Sequence, residues 1–176
     1  MAVQVFVDEG KRGGYLLCAA VVPTEKLADA RVMRELKPGN RRRLHMHSEG
    51  AASRRRILAE FSRREPIREA HLWIARIDGR PERQVRDACF RQLAQGVAEL
   101  GATSIVVESC AQDAQDQRVI AGALAEIGAL SRIRFDIVAP STHEMLWAAD
   151  LVAWAYGAGG AYRQAVEKFV TVHKVS

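Results

Sequence analysis

Ala2-Val3-Gln4-Val5-Phe6-Val7-Asp8, followed by Glu9-Gly10, is the stretch on which the fold turns. Its β-branched and aromatic residues predict a strand over Ala2 to Val7. An acid directly at that strand's end lies where an open α/β sheet gathers its ligands. The turn Asp8-Glu9-Gly10-Lys11-Arg12-Gly13 leads to a second strand, Gly14 to Pro23, so the chain opens on a hairpin. Further out, a helical pattern runs from Thr24 to about Leu36 and is stopped by Lys37-Pro38-Gly39-Asn40. Ser53 is placed to cap a helix reaching Arg64, and Pro66 precedes a third strand, Ile67 to Ile77. A long helix from Pro81 to Leu100, ended by Gly101, precedes the strand Thr103 to Val107, which Glu108 terminates. A helix over Ala114 to Ala129, a strand over Arg132 to Val138 and a helix after Ser141 complete the alternation. Ser141-x-x-Glu144 reads as the capping box of that last helix.

This order predicts an α/β fold: an antiparallel opening, then alternating units that demand right-handed crossovers and parallel pairing. Five strands are expected, flanked by helices, with a helical insert over about 24–65 between the second and third. A length of 176 residues, 48% of them hydrophobic, suits one domain over 1–176 with a single sizeable core. Cys18, Cys89 and Cys110 are odd in number and form no CxxC pair, which points away from a disulfide framework or zinc ribbon and toward a reducing cytoplasm. Met1 to Gly10 lacks the basic flank and cleavage site of a signal peptide. Met145 to Tyr162 carries Asp150 as its one charge, but Gly157, Gly159 and Gly160 would break it short of the roughly 20 apolar residues a membrane span needs, so a buried helix is expected. Oligomeric state is left open.

The net charge of +5 is localised. Arg41, Arg42, Arg43, Arg54, Arg55, Arg56, Arg63 and Arg64 face only Glu49 and Glu60 within the same segment, leaving the rest of the chain near neutrality. One basic element in an otherwise balanced chain is the footprint of nucleic-acid binding or, equally, a solvated helix face and loop. Arginine without lysine favours phosphate, whose oxygens match the guanidinium fork; Arg41, Arg42, Arg43, Arg54, Arg55 and Arg56 are the expected contacts.

Asp8, Glu108 and Asp150 are the candidate ligands. Asp8 and Glu108 also admit an ordinary reading, as turn and loop acids. Asp150 is harder to place that way, because its helical neighbours at three and four residues are Leu146, Trp147, Ala153 and Trp154. A carboxylate on so apolar a face is costly unless it is paired, by an arginine for instance, or coordinates a cation.

In this order of elements the chain resembles the ribonuclease H-like superfamily. The resemblance implies that the first strand is central, that the fourth lies beside it in parallel, and that acids at their ends meet an acid of the last helix to bind two divalent metals. Phe6-Val7-Asp8-Glu9-Gly10, with Tyr15-Leu16-Leu17, and Leu146-Trp147-Ala148-Ala149-Asp150-Leu151-Val152-Ala153-Trp154 resemble, more narrowly, the bacterial domain-of-unknown-function 3800 family. That family's first motif has a serine that is absent here, Gly10 following Glu9 directly. The implied activity is metal-dependent hydrolysis of RNA or DNA phosphodiesters. Asp8 would bridge two Mg²⁺ or Mn²⁺ ions, because all-oxygen ligands select hard cations. Glu9, Asp113, His47 and Glu49 are secondary candidates, and His143, seven residues before Asp150, is the expected proton shuttle. A non-catalytic nucleic-acid or protein-binding module on the same fold is the alternative. His45-Met46-His47 also resembles the first ligands of amidohydrolase-type enzymes, although few histidines remain for the rest of such a site; because the insert follows the opening hairpin, His45, His47 and Glu49 are expected near the active centre, touching substrate, or else at the surface. Sugar kinases and actin-like ATPases share the fold but need two domains and a glycine-rich phosphate loop.

Overall fold

Alternate residues of the first strand, β1 (Val3–Gly10), serve two separate cores. Val3, Val5 and Val7 point into one, while Phe6 and Asp8 point toward the other. Such period-two burial on both faces marks a central strand. The computed structural model, which describes residues 2–176, places β1 in the middle of a six-stranded sheet of order β5-β4-β1-β2-β3-β6. β2 (Tyr15–Pro23) and β3 (Glu69–Ala75) continue the antiparallel meander. β4 (Ala102–Glu108) pairs in parallel with β1, and β5 (Arg134–Val138) in parallel with β4.

The sheet has six strands where five were expected. The additional strand, β6 (Val170–Val175), runs parallel to β3, Trp73 lying opposite His173. It lies at the sheet's edge and most of its residues are only partly covered, so Val170-Thr171-Val172-His173 carries a weak apolar signal. Its pairing partner lies about a hundred residues upstream.

Helices cover both faces. α3 (Glu82–Glu99) and α4 (Asp113–Glu126) pack over Val3, Val5, Val7, Leu17 and Trp73. On the other face α1 (Ala30–Leu36), α2 (Ala51–Arg64) and α5 (Met145–Ala158) enclose Phe6, Cys18, Ala20 and Leu72. A short α6 (Gly160–Gln164) follows α5. Gly101, at φ +79°, turns the chain from α3 into β4 in a region open to glycine but costly for most side chains.

Three local readings are corrected. The Thr24 to Leu36 pattern divides into a 3₁₀ turn, Thr24–Asp29, and α1. Ser53 lies inside α2, whose N-cap is Gly50; its hydroxyl donates to Glu49 at 2.9 Å. Ser141 caps nothing, because Ala139 to Thr142 forms a turn of its own and α5 starts only at Met145. His143 takes up that task, its Nδ1 accepting the Met145 N–H at 3.1 Å, while Glu144 pairs with Arg34 at 2.8 Å.

Candidate active site

β1 and β4 run parallel and in register, Val7 opposite Val107, so Asp8 and Glu108 leave adjacent strands at the same level. α5 packs across that end of β1, and Asp150 descends from it toward the two strand acids. Asp8 is 7% exposed, and its carboxyl stands close enough to that of Glu108 for the two to influence each other's protonation. Burial first, and then the charges of Glu108 and Asp150, push the Asp8 carboxyl well above its ordinary range. Burial raises Glu108 as well, against the lowering influence of Asp8 and Arg43. All three are carboxylate oxygen donors, of the type that hard divalent ions take.

The protein meets these acids with its own groups from the loop before α2. Arg43 Nη1 stands 3.2 Å from Glu108 Oε1, and the Met46 backbone N–H donates to Asp150 Oδ2 at 2.9 Å. His45 Nδ1 lies buried 3.3 Å from Asp150 Oδ1 without a well-aligned hydrogen bond. Asp150 raises the His45 imidazole above its usual value, outweighing the opposing effect of burial. The interaction of His45 with Asp150 is the contact that spacing alone did not single out, although the His45-Met46-His47 motif carried the signal. His45 is extended, but Met46–Ser48 form a 3₁₀ turn, and the His45 and His47 rings are tilted, with centroids 6.1 Å apart.

The other candidates disperse. Glu9, next to Asp8, points to the opposite face, where it pairs with Arg86 and accepts from the Tyr15 hydroxyl at 2.9 Å. Arg86, only 2% exposed, also donates to Asp116 at 2.6 and 2.9 Å, and Arg83 adds a further contact to that carboxylate at 2.9 Å. Asp113 accepts from the Cys110 N–H at 2.7 Å and the Ser109 hydroxyl at 2.5 Å. Donor atoms of Cys110, Asp113 and Asp116 lie within 4.8 Å of one another, but two guanidiniums already balance Asp116. The ligand atoms of Asp8, Glu108 and Asp150 do not all lie within 4.8 Å of one another. Glu49 is buried against Ser53. His143 packs against Phe6 with ring centroids 4.5 Å apart, tilted at 36°, and burial lowers its pKa. Its Nδ1 accepts the Met145 N–H.

Beside the acids opens a cleft of about 640 Å³, walled by Asp150, Trp154, Arg54, His47 and the turn residues Lys11 and Arg12. The arginines divide. Arg43 is committed to Glu108, and Arg54 donates through Nε to Met46 O at 3.0 Å and through Nη2 to His47 O at 2.9 Å. Arg41, Arg42, Arg55 and Arg56 are exposed.

No protein-family model matches the chain, and no curated protein matches it. Among solved structures it is similar to ribonuclease HII of Archaeoglobus fulgidus, seen in a complex with PCNA, with a TM-score of 0.57 and 12% identity over 94% of this chain and 75% of that one. It is also similar to ribonuclease H2 of Pyrococcus horikoshii OT3, with a TM-score of 0.56 and 15% identity over 94% of this chain and 74% of that one. The chain has a ribonuclease H-like fold. At these identities the likeness establishes the fold alone. Among the described residues no helix is long and apolar enough to cross a membrane.

Proposed function

We propose that this chain is a cytoplasmic divalent-metal-dependent nuclease that hydrolyses RNA or DNA phosphodiesters, of the kind its first-strand and last-helix motifs resemble. One observation carries the reading: Asp8, Glu108 and Asp150, from β1, β4 and α5, face one another in a desolvated group whose mutual repulsion calls for cations. Asp8, which feels the charges of both other acids, is assigned as the shared ligand, with Glu108 and Asp150 completing the set. Two Mg²⁺ or Mn²⁺ ions, when bound, supply an activated water and charge neutralisation at the attacking and leaving oxygens. His45 stands 3.3 Å from Asp150, whose charge favours the protonated imidazole, and is assigned to hold Asp150 in place. Arg43 balances Glu108 and stands at the mouth of the site to meet substrate phosphate. His143, packed against Phe6 two residues before Asp8, is assigned as the more remote proton carrier. The fold is that of two proteins whose names describe ribonucleases, which supports the same class of chemistry.

The test is cleavage of a panel of RNA, DNA and RNA–DNA hybrid oligonucleotides in Mn²⁺ or Mg²⁺. Divalent-dependent cleavage is expected from the wild type and background only from Asp8→Asn; equal cleavage by the two would overturn the assignment. A second reading, a binding module without catalysis, is favoured by one feature: Glu108 and Asp150 already have protein partners in Arg43 and the Met46 N–H. It predicts oligonucleotide binding without cleavage in any divalent ion.

A further inference from the structure

Arg12, in the turn after β1, and Trp154, one helical turn beyond Asp150, meet in the cleft beside the acids. The Arg54 guanidinium carbon lies 4.3 Å from the centre of the Trp154 ring and that of Arg12 lies 5.8 Å from it. Tyr162 sets the indole from the side, edge-on at 5.0 Å. Gly157 lets the turn lie this close to α5, since a Cβ there would stand 3.1 Å from Arg12 Cβ. Arg54 spends its donors on the Met46 and His47 carbonyls, and neither it nor Arg12 is paired with a carboxylate among the described residues. Lys11, at the same rim, is already held by Glu82 at 2.8 Å. An indole layered with two uncompensated guanidiniums attracts a ligand that is both planar and anionic.

The dimensions narrow the ligand. About 640 Å³ falls within the range of small-molecule clefts, and it has room for a nucleotide or two rather than the face of a duplex. We propose that this cleft receives an unpaired nucleotide next to the scissile phosphate, its base stacked on the Trp154 and Arg54 layer and its phosphate on Arg12, so that the preferred substrate is single-stranded at this point. Stacking of bases on aromatic rings and guanidinium planes is the usual mode of single-strand recognition, and it is tolerant of sequence. The inference rests on the nuclease reading for its position beside the reacting centre.

Tryptophan fluorescence reads this cleft directly. Trp73 and Trp147 are 2% and 4% exposed, whereas Trp154 is partly exposed, so quenching by added oligonucleotide reports on Trp154. Titrations with a single-stranded hexanucleotide and with a blunt 20-base-pair duplex are made in EDTA, where binding proceeds without cleavage. The single strand is expected to quench, and the duplex to bind at least tenfold more weakly. Arg12→Ala, in an exposed turn, should lower the single-strand salt slope by about 0.7, and Trp154→Phe should remove the quench while leaving an anisotropy-detected complex. Equal affinity for the duplex, or an unchanged salt slope in Arg12→Ala, overturns the proposal. Loss of this binding alongside intact divalent-dependent cleavage would sink the cleft assignment alone, and binding without cleavage would sink the nuclease reading alone.

Discussion

Replacing Asp8 by asparagine is expected to stabilise the metal-free protein while removing the activity proposed for it. Asp8 is 7% exposed and faces two further carboxylates. Two unit charges about 4 Å apart repel by roughly 4 kcal/mol at an effective dielectric constant near 20. Proton sharing with Glu108 relieves part of this, so about 1–3 kcal/mol remains to be recovered near pH 7. Asparagine keeps the acceptor that the Glu9 N–H uses at 2.7 Å, and its amide can donate to Glu108. In a chain of 176 residues each kcal/mol moves the melting temperature by about 2–4 °C, so a rise of about 2–12 °C is expected in EDTA. The pH dependence has a fixed sign. A carboxyl raised in the folded state binds more protons there than in the unfolded chain. Wild-type stability is therefore fully present below the ordinary aspartate value near 4 and falls as pH rises toward the raised Asp8 value. The variant lacks this loss, so the two proteins converge toward pH 4 and separate by pH 7. Mn²⁺ should reverse their order: at a hundred times its Kd a ligand adds about 3 kcal/mol to the wild type, and far less where its shared carboxylate is gone. Scanning calorimetry from pH 4 to pH 8, with EDTA or Mn²⁺, checks both. A variant no more stable than wild type at pH 7 in EDTA, together with a wild type indifferent to Mn²⁺, would refute the argument that these acids are held together against their repulsion for a metal.

Arg86→Met leaves the fully buried Asp116 with Arg83 alone and should cost about 3–5 kcal/mol in urea denaturation; a loss under about 1 kcal/mol would show that Arg83 suffices. Burial pushes Asp116 up, but Arg86 and then Arg83 outweigh it and hold the carboxyl below its ordinary range. The stability it contributes is therefore present above pH 4 and lost as pH falls through its depressed value, a loss calorimetry should detect in the wild type and find diminished in Arg86→Met. Gly96→Ala, usually favourable within a helix, is expected to destabilise by about 1–3 kcal/mol, because the new Cβ would stand 2.6 Å from Trp73 Cζ2. The Arg55→Ala, Arg56→Ala double variant should weaken oligonucleotide binding uniformly across sequences and flatten its salt dependence, by about 0.7 per lost single-strand phosphate contact; unchanged slopes would confine the basic helix to a solvated role.

The first strand, the parallel unit around β4 and the apolar last helix were legible in the sequence because each rests on a local pattern. Period-two burial marks Val3, Val5 and Val7, and Asp150 stands out as a lone acid among Leu146, Trp147, Ala153 and Trp154. That β4 would pair in parallel followed from the connectivity, since a helical crossover demands it, whereas its place beside β1, which sets Asp8 beside Glu108, was implied only by the resemblance. The edge strand β6 was not legible. Its stability comes from a ladder with β3 rather than from its own thinly apolar residues. The capping of α5 by His143 instead of Ser141 also depended on where a preceding turn happened to end.

The sequence by itself determined which acids stand at strand ends and on a buried helix, because hydrophobic periodicity is local and a charge that interrupts it is conspicuous. Only the tertiary structure decided what meets those acids. Arg43, His45 and the Met46 N–H reach Glu108 and Asp150 across 65 to 105 residues of chain. Glu9 is turned to the opposite face by the same alternation that delivers Asp8. Arg12, Arg54 and Trp154, from a turn and two helices, share one cleft. Such contacts arise from how separate elements pack against a common sheet, and no spacing along the chain encodes them.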